Sequence, residues 1–375
     1  MRRILTTLCI ILLGIGAAAP LTAAVSETDA LIQLLVDKGL LSAEEAAALR
    51  ADLAVQKQEE KDKQKAFQVT TGRPLQLSGY AQVRYRDDDA INDTFDTRRA
   101  RLSLKGDLGR GFDYRLQADF AGSSAKLLDA ALGWRYADGL KVTAGQFKIP
   151  FSQENLISSS ALETINRSQV VEALVARGKD VNGNQNGRDI GVMAGGSFTL
   201  FKTPGGLEYA AGVFNGSGIN TSDTNEEKDF AGRVRIKPFK GFSIGGSYST
   251  GRTTLSAAPD EESLRRRAGA EIAYTRGPFL FKGEFIRGDD ARIEKDGWYA
   301  LAAWTIVPQR FQAVLKYDAY DPDRAVTDKE TSIATAGFNW FFSQWAFLQV
   351  NYEVKDETGT EVSNNALTGQ LTLQF

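Results

Sequence analysis

From residue 75 onward the chain is written in a period of two, and its connections alternate between short and long. In the first segment Leu75, Leu77, Gly79, Ala81, Val83 and Tyr85 share one face. Gln76, Ser78, Tyr80, Gln82, Arg84 and Arg86 share the other. Ala100, Leu102 and Leu104 alternate in the same way with Arg99, Arg101, Ser103 and Lys105. The last segment sets Leu367, Gly369, Leu371, Leu373 and Phe375 against Thr368, Gln370, Thr372 and Gln374. Segments of ~10 residues with one apolar and one polar face describe a wall between hydrocarbon and water.

The connections narrow the choice further. Seven read as tight: Gly109-Arg110, Asp138-Gly139, Pro204-Gly205-Gly206, Lys240-Gly241, Gly277-Pro278, Pro308-Gln309 and Ser343-Gln344. Between them lie longer polar stretches at 87–95, 121–126, 152–188, 215–228, 251–263, 287–296, 320–329 and 355–364. Strict alternation joins 16 strands and returns both ends to the short-turn side. A soluble sandwich gives no reason for that asymmetry, whereas outer-membrane barrels have it. The expectation is an all-β fold: a 16-stranded antiparallel transmembrane β-barrel over 75–375. Aromatics near the turns (Trp134, Tyr136, Trp304, Trp340, Phe342 and Trp345) fit interfacial girdles.

What precedes the barrel reads in three parts. Residues 1–24 have the layout of a removed signal peptide: Arg2-Arg3, a short apolar run from Leu5 to Ile15, and small residues to Ala24. Residues 25–66 read as a short α-helical periplasmic segment. Capping-box starts stand at Ser26 and at Ser42-Ala43-Glu44-Glu45, followed by a charged, Gln-rich coiled-coil-like stretch. Residues 67–74 form a linker.

Composition removes several chemistries. The chain has no histidine, and its single cysteine, Cys9, lies in the signal segment. His-based metal sites, Ser-His and Cys-His nucleophiles and disulfides are therefore excluded. No enzyme activity, cofactor or metal is expected. Without Arg2 and Arg3, 43 basic residues face 47 acidic ones, which argues against a nucleic-acid partner. The run Asp180, Asn182, Asn184, Asn186 lacks the glycine and closing glutamate of a calcium loop.

Parity lists the lumen cations. Arg84, Arg86, Arg99, Arg101, Lys105, Arg115, Arg135, Arg233, Arg235, Arg265, Arg267, Lys282 and Lys316 fall on the polar face, with Arg167 from the long connection. Asp113, Asp119, Asp129, Glu271, Glu284 and Asp318 fall on the same face. The excess of cations favours small anions over cations as solutes.

The order and spacing of several blocks resemble the phosphate-selective porin O/P family. These are Phe95 with Arg98-Arg99-Ala100-Arg101-Leu102, Tyr114-Arg115-Leu116 with Asp119-Phe120, Leu128-Asp129-Ala130, Gly145-Gln146-Phe147-Lys148 with Pro150-Phe151, and Arg188-Asp189-Ile190-Gly191-Val192. The resemblance covers 75–200 best. It implies an outer-membrane porin, usually a homotrimer in contact with lipid and lipopolysaccharide, with its third external loop (here 152–188) folded inward as a constriction. Matched motifs and parity together single out Arg99, Arg101, Arg115, Lys148 and Arg167 as the constriction and anion-binding set. Asn166 stands where the family commonly has a glutamate before Arg167, and the Gly/Asn-rich insert 178–187 departs from its pattern. The expected function is passive diffusion of small hydrophilic solutes, anion-preferring and phosphate-selective in the sharpest form. The alternatives are a general or sugar-type porin and a non-conducting structural or adhesive barrel.

Overall fold

A computed structural model describes residues 32, 34–38, 42, 45–46, 66–67, 75–223, 225–254, 262–360 and 362–375. Residues 1–64 and 65–375 form two separate units. The expectations for the signal segment and for most of the helical stretch lie outside the described residues. Within the first unit, residues 34–37 and 45–46 are helical. The capping box at Ser42 is formed: Ser42 Oγ accepts from the Glu45 amide at 3.2 Å, and the Glu45 carboxylate accepts from the Ser42 amide at 2.9 Å. These hydrogen bonds hold the Glu45 carboxyl below its ordinary pKa.

In the second unit β1 (Ala66–Phe67) precedes β2 (Leu75–Asp88), β3 (Ile91–Gly109), β4 (Phe112–Asp119), β5 (Lys126–Ala137) and β6 (Leu140–Lys148). The short helices α1 (Gln153–Leu156) and α2 (Gln169–Leu174) follow. Then come β7 (Arg188–Leu200), β8 (Thr203–Phe214), β9 (Asp229–Ile236), β10 (Phe242–Thr254) and β11 (Glu262–Arg276). The wall ends with β12 (Phe279–Asp290), β13 (Ile293–Val307), β14 (Phe311–Asp321), β15 (Thr331–Phe341), β16 (Ala346–Glu357) and β17 (Ala366–Gln374). Each strand from β2 onward pairs antiparallel with the next, and β17 pairs with β2. The result is a closed 16-stranded barrel, with β1 a two-residue extension against Leu75 and Gln76.

Closure satisfies the backbone where no water can. The seam is sealed by the last residue: Gly79 and Phe375 exchange backbone hydrogen bonds of 2.9 and 3.0 Å. The Phe375 ring lies over Gly79, where a Cβ would come within 2.7 Å of it. Glycine is required there by close approach.

Burial runs opposite to that of a soluble protein. Leu315 is 64% exposed and Leu132 60%, while Gln349 is 2% and Lys316 4% exposed. Apolar side chains face outward and polar ones inward. Stacked aromatic pairs ring the short-turn end: Phe112 with Trp134, Phe279 with Trp304, and Phe311 with Trp340. Such a surface is matched to hydrocarbon bounded by headgroups.

Three connections differ from the sequence reading. The tight turn expected at Pro204-Gly205-Gly206 lies at Phe201 and Lys202 instead, between β7 and β8. Both residues take positive φ (52° and 59°), the two-residue hairpin conformation that matches strand twist. The expected long connections at 87–95 and 287–296 are strand for most of their length. They turn at residues 89–90 and 291–292, because the hairpins project beyond the lipid-facing band, where both faces are polar.

Candidate constriction and anion path

The site is built on the connection 149–187, which enters the barrel after β6. Three inward glycines on neighbouring strands make room for it. An added Cβ at Gly297 would lie 2.9 Å from Val170, at Gly288 3.1 Å from Leu174, and at Gly269 3.4 Å from Phe151. Val170, Val171 and Leu174 of α2 pack there against Ile286, Tyr299, Leu301 and Val314, a dry core inside an otherwise polar lumen. Polar anchors complete the seat. The Glu284 carboxylate accepts from the amides of Gln153 (3.1 Å) and Glu154 (2.8 Å), at the first turn of α1. Asp318 accepts from the Gln169 amide at 3.1 Å and Asn351 from the Ile165 amide at 2.7 Å. Each anchor satisfies a backbone donor that burial would otherwise strand.

With the connection held against β11–β16, the free lumen is displaced toward β2 and β3. A cavity of about 730 Å³ opens there toward the long-connection end. Among the described residues its lining holds eleven cationic and five anionic side chains. Several cations are already paired: Arg84 with Asp96, Arg86 with Asp88, Arg101 with Asp119 at 2.7 Å, and Lys316 with Asp318 at 3.2 Å. Arg98 and Arg99 differ. Gln82 pairs with Arg99 and Val83 with Thr97, so Arg98 is the extra residue of a β-bulge. Both arginines line the cavity. Arg99 donates to the neutral Gln82 Oε1 at 2.9 Å. Arg98 forms no hydrogen bond or ion pair among the described residues, and its Nη1 is buried without a partner. Two adjacent guanidiniums without an ion-pair partner leave donors on this lining that an oxyanion could accept from.

The structure brings Arg99, Arg101 and Arg167 of the expected constriction set to this cavity. Arg115 and Lys148 are not on its lining. Arg115 pairs with Asp129 at 3.0 Å, and Asp129 also binds Arg188 at 2.7 Å. Lys148 Nζ donates to the carbonyls of Asn155 (2.7 Å), Leu156 (3.1 Å) and Ile157 (2.8 Å), which closes the end of α1. Arg167 shares that duty. It donates to the carbonyls of Glu154 (3.2 Å) and Ile157 (2.8 Å) and to Ser159 Oγ (3.1 Å). Burial lowers the pKa of the Arg167 and Arg177 guanidiniums, but arginine's ordinary value is so high that both stay charged.

Of the remaining lumen cations, Arg233 pairs with Glu271, Arg235 with Glu208, Arg265 with Asp229 and Lys282 with Glu163. Arg267 is buried against Asp290 at 2.7 Å. Arg135 is exposed near the short-turn end. The Asp180 carboxylate accepts from the amides of Ala176 and Asn182 at 2.9 and 3.2 Å and so shapes the loop. Sequence reasoning missed Arg98, because period two assigns it to lipid. It also passed over Arg177, held within its own connection by Asn155 and Asn186, and Arg188, whose partner Asp129 lies far back along the chain.

The sequence profile described as "Phosphate-selective porin O and P" matches residues 69–258 and 246–375, most of the chain. The chain belongs to the phosphate-selective porin O and P family. This porin is therefore an outer-membrane channel and not an enzyme. It is 24% identical over 325 residues to an uncharacterized protein of Aquifex aeolicus (strain VF5), covering 74% of each chain. Its fold is that of the anion-selective porin from Comamonas acidovorans (TM-score 0.62, 17% identity, 81% of this chain and 100% of that one). OmpT of Vibrio cholerae in its trimer form is also similar (TM-score 0.57, 12% identity, 80% and 99%).

Proposed function

We propose that this porin passes small hydrophilic anions by passive diffusion, with its preference set at the cavity between β2–β3 and the inward connection. The observation that carries the reading is the Arg98–Arg99 pair, two guanidiniums without a carboxylate on a lining already rich in cations. An anion entering there exchanges water for charge-assisted hydrogen bonds, while a cation meets a lining in which eleven cationic side chains outnumber five anionic ones. Phosphate, with several acceptor oxygens, suits two adjacent guanidiniums better than chloride does, which supports phosphate preference within that class. Lys148 acts by holding the connection in place rather than by meeting solute, and Arg167 holds it while also lining the cavity.

The same reading takes 1–24 as a signal peptide cleaved after Ala24, 25–66 as a periplasmic helical segment, and the working form as a homotrimer in lipid and lipopolysaccharide. The trimer form of OmpT on the same fold supports the last point. Planar-bilayer recording of the purified protein tests the proposal. Discrete conductance steps, reduced as phosphate is titrated into chloride, are expected. Absence of steps would favour a non-conducting structural barrel, and steps indifferent to phosphate would favour a general porin.

A further inference from the structure

Building on the anion-permeation reading, we infer that the cavity above the constriction binds a hydroxylated organic oxyanion, a sugar phosphate in chemical class, in preference to bare phosphate. The first reason is size. At about 730 Å³ the cavity has the dimensions of sites that enclose small organic ligands, and a tetrahedral oxyanion would leave most of it to water.

The second reason is that its two walls differ. The β3 wall presents Arg98 and Arg99 without carboxylate partners. The loop wall presents the neutral amides Asn184 and Asn186 beside Arg167, Arg177, Lys179 and Glu172. Asn186 Oδ1 accepts from Arg101 Nη2 at 3.4 Å, which places this amide directly beside the arginine wall. The Nδ2 groups of Asn184 and Asn186 form no hydrogen bond among the described residues. Guanidiniums match a phosphate, and amides, which both donate and accept, match hydroxyls. The two amides add neutral partners that a bare phosphate, served by the cations alone, would not need.

The third reason is that this wall is pre-shaped. The Asp180 carboxylate gathers the amides of Ala176 and Asn182, and the Ala176 carbonyl accepts from Gln185 (3.1 Å) and Gly187 (2.9 Å). Asn184 Oδ1 accepts from the Asn186 amide at 3.1 Å. Groups already held in place lose little entropy on binding.

The test uses the purified porin in planar bilayers, with chloride current measured while glucose 6-phosphate, inorganic phosphate or glucose is added. Mildly alkaline pH keeps both phosphates dianionic. Glucose 6-phosphate is expected to halve the current at about fivefold lower concentration than phosphate, the gain of one or two neutral hydrogen bonds. Glucose alone should not block. The double variant Asn184→Ala/Asn186→Gly should lose that advantage and keep its phosphate block. Glycine at 186 preserves the left-handed backbone there (φ 54°). Equal or stronger block by phosphate, or an advantage that survives in the variant, would overturn the inference while leaving anion permeation intact. A wild-type channel that prefers cations would instead remove the reading on which it rests.

Discussion

Arg98 and Arg99 are adjacent in the chain, yet both line one cavity, because the wall is bulged where Gln82 pairs with Arg99 and Val83 with Thr97. A regular strand would turn one of the two guanidiniums toward hydrocarbon. The bulge avoids that cost and doubles the density of unpaired positive charge at one level of the lumen. Many other lumen cations are matched by carboxylates, as at Arg233–Glu271 and Arg265–Asp229. Charge ladders of that kind keep an interior wet without choosing between ions.

Loop seating depends on the space left by Gly297. Gly297→Leu would push against Val170, already 2.9 Å from an added Cβ. Overpacking there should cost about 1–3 kcal/mol. Expected is a lower temperature for the heat-induced mobility shift on SDS gels, together with a broadened distribution of single-channel conductances. A single sharp conductance equal to wild type would show that the seat does not set the pore.

Lys148 separates a holding role from a permeation role. Lys148→Gln loses a cation that serves three carbonyls at the end of α1, at a cost of ~1–3 kcal/mol for buried acceptors left unmade. Stability should fall while the reversal potential in a salt gradient stays close to wild type. A large loss of ion preference without destabilisation would move Lys148 into the permeation path.

The lipid-facing wall is tested by Leu315→Arg. Leu315 is exposed in the middle of β14 with Ala302 and Ala336 beside it on neighbouring strands. A guanidinium near the bilayer midplane costs about 2–4 kcal/mol. Poor refolding into lipid vesicles is expected, with recovery in Leu315→Phe. Unimpaired refolding of the arginine variant would place this face away from hydrocarbon.

The barrel was legible because alternation over 75–375 and paired turn signals agree with each other, and a one-residue error in register would expose every polar side chain to lipid. The turn at Phe201 and Lys202 was not legible, since both residues hold positive φ while the more suggestive Pro204-Gly205-Gly206 lies inside β8. The hairpins at 89–90 and 291–292 read as loops in the sequence because strands that rise beyond lipid lose their apolar face. Arg98 was hidden for a related reason: a bulge is one inserted residue, and no sequence period marks it. The work of Lys148 and Arg167 was hidden differently. Sequence displays a charge but not the carbonyls that consume it.

The reversal potential of Arg98→Gln/Arg99→Gln, measured beside wild type across a potassium chloride gradient, decides whether the bulged pair selects the ion. Each removed charge weakens the attraction for an anion by on the order of 1 kcal/mol in a wet lumen. Wild type should prefer chloride, and the double variant should lose that preference by about fivefold or more while keeping discrete conductance steps. A wild-type channel that prefers potassium, or a double variant with an unchanged reversal potential, would contradict the claim that this bulged pair selects the ion.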